Sequence, residues 1–186
     1  MYYGNILYYD IANGPGIRTA LFVSGCRNHC PGCFNEVTWD FHYGKPYTDQ
    51  TEAEIIDSLK LPVCDGLTIL GGEPFEPENQ PTVLHLIQEA RSAVPEKSIW
   101  MYSGYTWEKL TGQIPSHAYL KDITPEILKN IDTLVDGKFM LEKRDLMLNY
   151  RGSSNQRIIE VQPSLKHPEN PPILSHYMTD PPVISL

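Results

Sequence analysis

The placement of three cysteines constrains this chain most. Cys26-Arg27-Asn28-His29-Cys30-Pro31-Gly32-Cys33 follows at once on residues 17–24, IRTALFVS, an apolar and β-branched run bounded by Gly16 and Gly25. Such a run reads as a buried strand, so the thiols sit on the loop leaving it. Three cysteines within eight residues, with Cys64 standing apart, read in a reducing compartment as a metal or cluster site before a disulfide framework. Thiolates are the usual ligands of iron–sulfur clusters, and a full cubane takes four. Three on one short loop would leave an iron open to substrate, as a catalytic zinc keeps one position free. The same spacing also allows a structural zinc site with Cys64 or His29 as fourth ligand.

The rest of the chain supplies alternating strand and helix signals. A capping-box pattern at Thr51-Glu52-Ala53-Glu54 leads into Ile55, Ile56 and Leu59 on one helix face. Residues 67–70 form a second short strand, cut off by Gly71-Gly72. Pro81 suits the first turn of a helix carrying Val83, Leu84, Ile87 and Ala90. Residues 98–102 read as a third strand. Thr124-Pro125 opens a helix with Ile127, Leu128 and Ile131. Residues 133–135 enter Asp136-Gly137-Lys138-Phe139 as a fourth strand and its exit loop, and residues 157–161 are a candidate fifth.

This alternation implies an α/β fold with a mostly parallel sheet and crossover helices. The strands are too few for a closed eight-fold barrel, so an open partial (β/α) barrel is expected, as a single domain over residues 1–161. The cysteine loop and the turns at Gly71-Gly72-Glu73, Ser103-Gly104 and Asp136-Gly137-Lys138 each follow a strand. They should therefore meet at the carboxyl end of the sheet, where such folds bind ligands. Beyond Gln162, prolines at 163, 168, 171, 172, 181 and 182 argue against helix or central strand. Residues 162–186 are expected to form an extended or disordered tail.

A chain of 186 residues holds one sizeable core and not two ordinary domains. Its net charge of −8, with scattered Lys and Arg, disfavours nucleic acid or an anionic membrane as the main partner. No apolar run reaches membrane-spanning length and the start lacks a secretory pattern, so the cytoplasm is the expected compartment. Cys64 reads as a small buried apolar residue. His29 is either a donor to a cluster sulfur or a solvated loop residue. Trp39, Trp100 and Trp107 read as packing, and the other histidines form no ligand spacing.

The cysteine loop resembles that of the radical S-adenosylmethionine (SAM) superfamily. Five stretches in order, DIANGPGIRTALFVSGC, CPGCFN, TILGGEPF, VDGKF and RGSSNQ, span residues 10–156 and resemble the activating components of anaerobic ribonucleoside-triphosphate reductases. The resemblance implies a [4Fe-4S] cluster on Cys26, Cys30 and Cys33, with SAM on the open iron. It implies that Gly71, Gly72 and Glu73 meet the methionyl amine. Lys138 would meet the carboxylate, with Asp136 and Ser103 lining that pocket or a cation beside it, although an ion pair at a loop explains Asp136 and Lys138 equally. Superfamily members often carry an aromatic residue just before the third cysteine, beside the adenine. Here Gly32 holds that position and Phe34 follows the cysteine, which leaves the adenine contact open. Residues 13–16 with Arg18 would lie near the cluster or the partner, and residues 151–156 near the ribose or the partner, unless both are only turns.

What the resemblance implies in function is reductive cleavage of SAM to a 5′-deoxyadenosyl radical. That radical would take hydrogen from a glycine of the reductase large subunit, with flavodoxin as electron donor. Other readings are activation of a different glycyl-radical enzyme such as pyruvate formate-lyase, a small radical SAM enzyme of deazapurine synthesis, or a non-catalytic metal-binding module.

Overall fold

The computed structural model describes residues 1–179. Among these, one sheet holds β1 (Tyr2–Asp10), β2 (Arg18–Val23), β3 (Lys45–Pro46), β4 (Gly66–Gly71), β5 (Ser98–Tyr102), β6 (Thr133–Asp136) and β7 (Arg157–Glu160). Their order is β3-β1-β2-β4-β5-β6-β7. The expected α/β class holds, because β2, β4, β5 and β6 run parallel at the centre of an open sheet. The crossovers carry α1 (Asp49–Leu59) before β4 and α2 (Gln80–Ala93) between β4 and β5. The short α3 (Trp107–Leu110) and α4 (Thr124–Asn130) stand between β5 and β6. Leu21, Leu67, Ile69, Ile99, Met101 and Leu134 are buried on the strands. They form one core with Ile55, Leu59, Val83, Leu86, Ile87, Ile127 and Leu128 of the helices. Strands covered by helices in this way read as nearly continuous apolar runs, which is why β2, β4 and β5 were visible in sequence.

The flanks of the sheet depart from the parallel expectation. β1 pairs antiparallel with β2, and β3 antiparallel with β1. Neither was foreseen: β1 has an irregular register and is largely exposed or half-buried, so it lacks a clean alternation. β7 runs antiparallel to β6, because residues 137–156 hold only the 3₁₀ turn Leu141–Lys143 and no crossover helix.

Two local expectations need correction. The cap of α1 is Thr48, whose side chain accepts from the Thr51 N–H at 3.2 Å; Thr51 lies inside the helix, buried beside Ile55 and Leu59. Past Gln162 the chain is not free of helix, since α5 (Val161–Leu165) contains Pro163. Proline fits a first turn, where its missing N–H has no partner to lose. Further along, the Ser175 N–H donates to the Ile158 carbonyl at 2.8 Å, and Tyr177 and Met178 pack on Trp100, Val135 and Ile158. Pro181 and Pro182 lie outside the described residues.

Arg18 marks the end of the sheet opposite the cysteines. It is 1% exposed and donates to Thr68 Oγ1, Ser98 Oγ and the carbonyls of Leu67 and Ser98. Burial lowers its pKa to about 10. It therefore closes the base of the sheet and does not reach the cysteine loop at the far end of its own strand. Among the described residues no helix is long and apolar enough to cross a membrane.

Candidate functional site

At the carboxyl ends of the parallel strands lies a cavity of about 620 Å3. Cys26, Cys30, Cys33, Phe34, Gly71, Gly72, Glu73 and Ser103 all line it. Phe22, Leu70 and Tyr102 of the sheet continue its wall toward Asn13. Three segments that leave strands far apart in sequence meet here, and Gly137 of a fourth also lines the cavity.

Backbone hydrogen bonds hold the cysteine loop in place. The Gly25 N–H donates to the Thr38 carbonyl at 2.7 Å and the Cys26 N–H to the Trp39 carbonyl at 3.2 Å. The chain returning through the 3₁₀ turn Glu36–Trp39 thus supports the loop. Each sulfur also faces backbone donors. Burial pushes the Cys26 thiol up to about 12 and the Glu73 charge adds to this, against hydrogen bonds from the Asn28 and His29 backbone. Burial raises the Cys30 thiol as well, opposed by the Phe139 backbone and by the Lys138 charge. The Asn35 N–H stands 3.4 Å from Cys33 Sγ. All three thiols are free. N–H groups aimed at sulfur favour the thiolate, the form that ligates metal.

Glu73 organises the opposite wall. It is fully buried, and its carboxylate accepts four hydrogen bonds. Oε1 takes the Phe75 N–H at 3.0 Å and the Ser103 hydroxyl at 2.9 Å. Oε2 takes the Gly104 N–H at 2.7 Å and the Asn28 side-chain amide at 3.0 Å. Burial outweighs these donors and raises its pKa to about 7. One side chain thus joins the cysteine loop, the Gly-Gly-Glu turn and the Ser103-Gly104 turn. Both glycines beside it are needed for close approach. A Cβ on Gly104 would lie 2.4 Å from Asn28 Nδ2, and one on Gly72 would lie 2.7 Å from the Gly25 carbonyl oxygen.

A second carboxylate repeats this device. Glu76, also fully buried, accepts from the Arg27 N–H at 2.9 Å and from the Arg27 guanidinium and the Tyr105 hydroxyl. Tyr105 in turn meets His117 Nε2 at 2.8 Å. Arg27 also pairs with Glu78 and lies over the Phe41 ring at 4.4 Å. Sequence reasoning missed Asn28 and Glu76. The available signal was a polar spacer between cysteines and a second glutamate three residues after Glu73.

Asp136 and Lys138 are placed differently from the other expected site residues. They line a neighbouring concavity with Glu108 and Arg157. The Asp136 carboxylate is engaged by the Trp107 N–H at 2.6 Å and by Arg157 at 2.9 Å and 2.5 Å, so its ion-pair partner is Arg157 and not Lys138. Lys138 is exposed, and its charge acts on the Cys30 thiol. In the RGSSNQ stretch, Gln156 accepts from the Gly152 and Ser153 N–H groups and donates to the Gly137 carbonyl. The stretch is therefore turn chemistry that closes the rim, with Arg151, Gly152 and Gln156 also lining the cavity.

Three thiols on one cavity, each facing backbone N–H groups, fit a sulfur-rich cluster. Among the described residues no group of three His, Cys, Asp or Glu side chains could hold one metal ion. Cys64 cannot complete a zinc site, since its sulfur lies near Thr19 Oγ1 and the Gly66 carbonyl, at the start of β4. His29, with φ +44°, stacks on Trp39 at 4.5 Å and 21°. Trp39 lines the cavity, and its indole N–H is buried with no hydrogen-bond partner among the described residues. A buried donor left over beside three thiols calls for an acceptor that the protein itself does not provide.

Residues 12–159 match the family described as 4Fe-4S single cluster domain. An anaerobic ribonucleoside-triphosphate reductase-activating protein of Vibrio cholerae is 43% identical over 151 residues, covering 80% of this chain and 91% of the relative. Its counterpart in Escherichia coli K12 is 40% identical over 79% of this chain and 90% of the relative. That of Enterobacteria phage T4 is 36% identical over 85% and 93% respectively.

Proposed function

Since this chain belongs to the family of anaerobic ribonucleoside-triphosphate reductase-activating proteins, we propose that it installs a glycyl radical on such a reductase by reductive cleavage of SAM. The observation that carries this reading is the convergence of Cys26, Cys30 and Cys33 with Gly71, Gly72, Glu73 and Ser103 on one cavity. In this reading the three thiolates hold a [4Fe-4S] cluster with one iron left for SAM. When bound, the cluster supplies the electron that breaks a carbon–sulfur bond of SAM, and flavodoxin is the external donor. The protein positions the reactants and excludes competing hydrogen donors.

The side chains have distinct tasks. Gly71 and Gly72 let the methionyl group approach the backbone. Glu73 supplies negative charge toward the amine, and direct acceptance requires the Asn28 amide or the Ser103 hydroxyl to release it. Phe34, 68% exposed at the mouth, offers a ring for the adenine from just after the third cysteine. Lys138 attracts the SAM carboxylate from the rim. Asp136 acts on that pocket through the Gly137 turn, since its carboxylate is engaged by Arg157. The sheet curls as a partial barrel around this cavity, open enough for a peptide loop. Leu146 and Met147, over 70% exposed, stand on the loop that lines the cavity through Asp145, Leu146 and Leu148, and they give a protein partner apolar surface. The cytoplasm, with its low potential in the absence of air, is the compartment this chemistry needs.

Anaerobic incubation of the reconstituted protein with SAM, reductant and the reductase tests the reading. A glycyl-radical electron paramagnetic resonance (EPR) signal should arise on the reductase, with one 5′-deoxyadenosine formed per radical. Replacing the acceptor glycine by alanine should remove the stable signal. Cleavage of SAM with modification of a small molecule, and no radical on a competent reductase, would refute the activase assignment.

A further inference from the structure

We infer that Trp39 is a positioning residue for the cluster, its indole N–H donating a hydrogen bond to one of the cluster's sulfurs. The inference rests on the cluster reading above and adds a residue that neither spacing nor family likeness had singled out.

Four observations meet at this side chain. Its carbonyl accepts the Cys26 N–H at 3.2 Å, which ties its backbone to the first ligand. Its ring stacks on His29, inside the Cys26–Cys30 spacer, at 4.5 Å with the planes 21° apart. The ring lines the same cavity as all three cysteines. Its Nε1–H is buried and lacks a partner among the described residues.

Leaving a buried N–H unpaired is unfavourable, and the indole has no other polar atom that could take up a partner in its place. Thiolate and sulfide sulfurs are acceptors, and the cluster would bring them to the cavity that Trp39 lines. Hydrogen bonds to sulfur stabilise the more negative, reduced state and so raise the reduction potential. Trp39 would join the N–H groups of Asn28, His29, Asn35 and Phe139 in this task. It differs from them in being a side chain, which substitution can remove without changing the backbone.

Trp39→Phe retains a ring to stack on His29 and removes the donor. The reconstituted variant should bind as much iron as the wild type and melt at a similar temperature, while its cluster potential shifts to a more negative value in an EPR-monitored redox titration. In wild-type protein labelled with ¹⁵N at the tryptophan indoles, pulsed EPR of the reduced cluster should show a nitrogen coupling that Trp39→Phe abolishes. Trp100 and Trp107 do not line the cavity, so they should contribute none. An unchanged potential in an iron-replete variant would overturn the inference while leaving the three-cysteine cluster intact. If the variant fails to hold iron, the wild-type labelling decides alone, and absence of the coupling overturns the inference. Wild-type protein that assembles no cluster at all would instead sink the underlying reading.

Discussion

Glu73 carries more of the site's geometry than its place in a turn motif suggests. Its four donors come from three segments, two of them about thirty and forty-five residues away in sequence. Removing the carboxylate strands several buried donors at once, each costing about 1–3 kcal/mol when left unpaired. Glu73→Ala should therefore lower the stability of the apoprotein by at least about 2 kcal/mol, read from denaturant unfolding. It should also lower iron retention after reconstitution, because the Asn28 tether of the cysteine loop is lost. A variant as stable as the wild type would mean that water replaces the carboxylate, and that the four bonds do not organise the site.

At the scale of elements, Arg157 fastens the flank of the sheet. From β7 it reaches Asp136 at the end of β6 and Glu108 on α3, at 2.9 Å and 3.0 Å from the latter. The Arg157 hydrogen bonds hold the Glu108 carboxyl down to about 2, below its ordinary value near 4.5. A depressed carboxyl contributes stability that is complete above its unfolded pKa and lost as pH falls through the folded one. Unfolding of the wild type should thus grow easier between about pH 4.5 and pH 2, and Glu108→Gln should flatten that part of the profile. Parallel acid profiles for the two proteins would show that the pair is solvated and inert.

These elements also show what a sequence can reveal. β2, β4 and β5, and the loops after them, were legible because burial on both faces leaves apolar runs that stop at Ser24-Gly25, Gly71-Gly72 and Ser103-Gly104. β1 was not, because its partner strand and not its own pattern holds it. The cysteines could be singled out from spacing alone. The roles of Asn28, Glu76 and Trp39 could not, since each depends on a contact that forms only once the chain folds; the engagement of Asp136 by Arg157, twenty-one residues on, is of the same kind.

At the scale of the whole molecule, the cysteine loop is anchored to a sheet whose apolar core cluster includes none of Cys26, Cys30 and Cys33. Many small metal-binding domains unfold when their metal is removed. Here the loop is retained by the bonds from Gly25, Cys26, Arg27 and Asn28 to Thr38, Trp39, Glu76 and Glu73. Anaerobic chelation should leave the far-ultraviolet circular dichroism unchanged, and added iron and sulfide should restore the cluster without a denaturation step. Collapse of the spectrum on chelation would show that the cluster is part of the fold. The consequence of a loop tethered by the protein's own groups is economic for an organism that passes in and out of air. With the fold outlasting the cluster as expected, oxygen would destroy only the inorganic part, so recovery of activity would be governed by iron and sulfide supply and not by new protein synthesis.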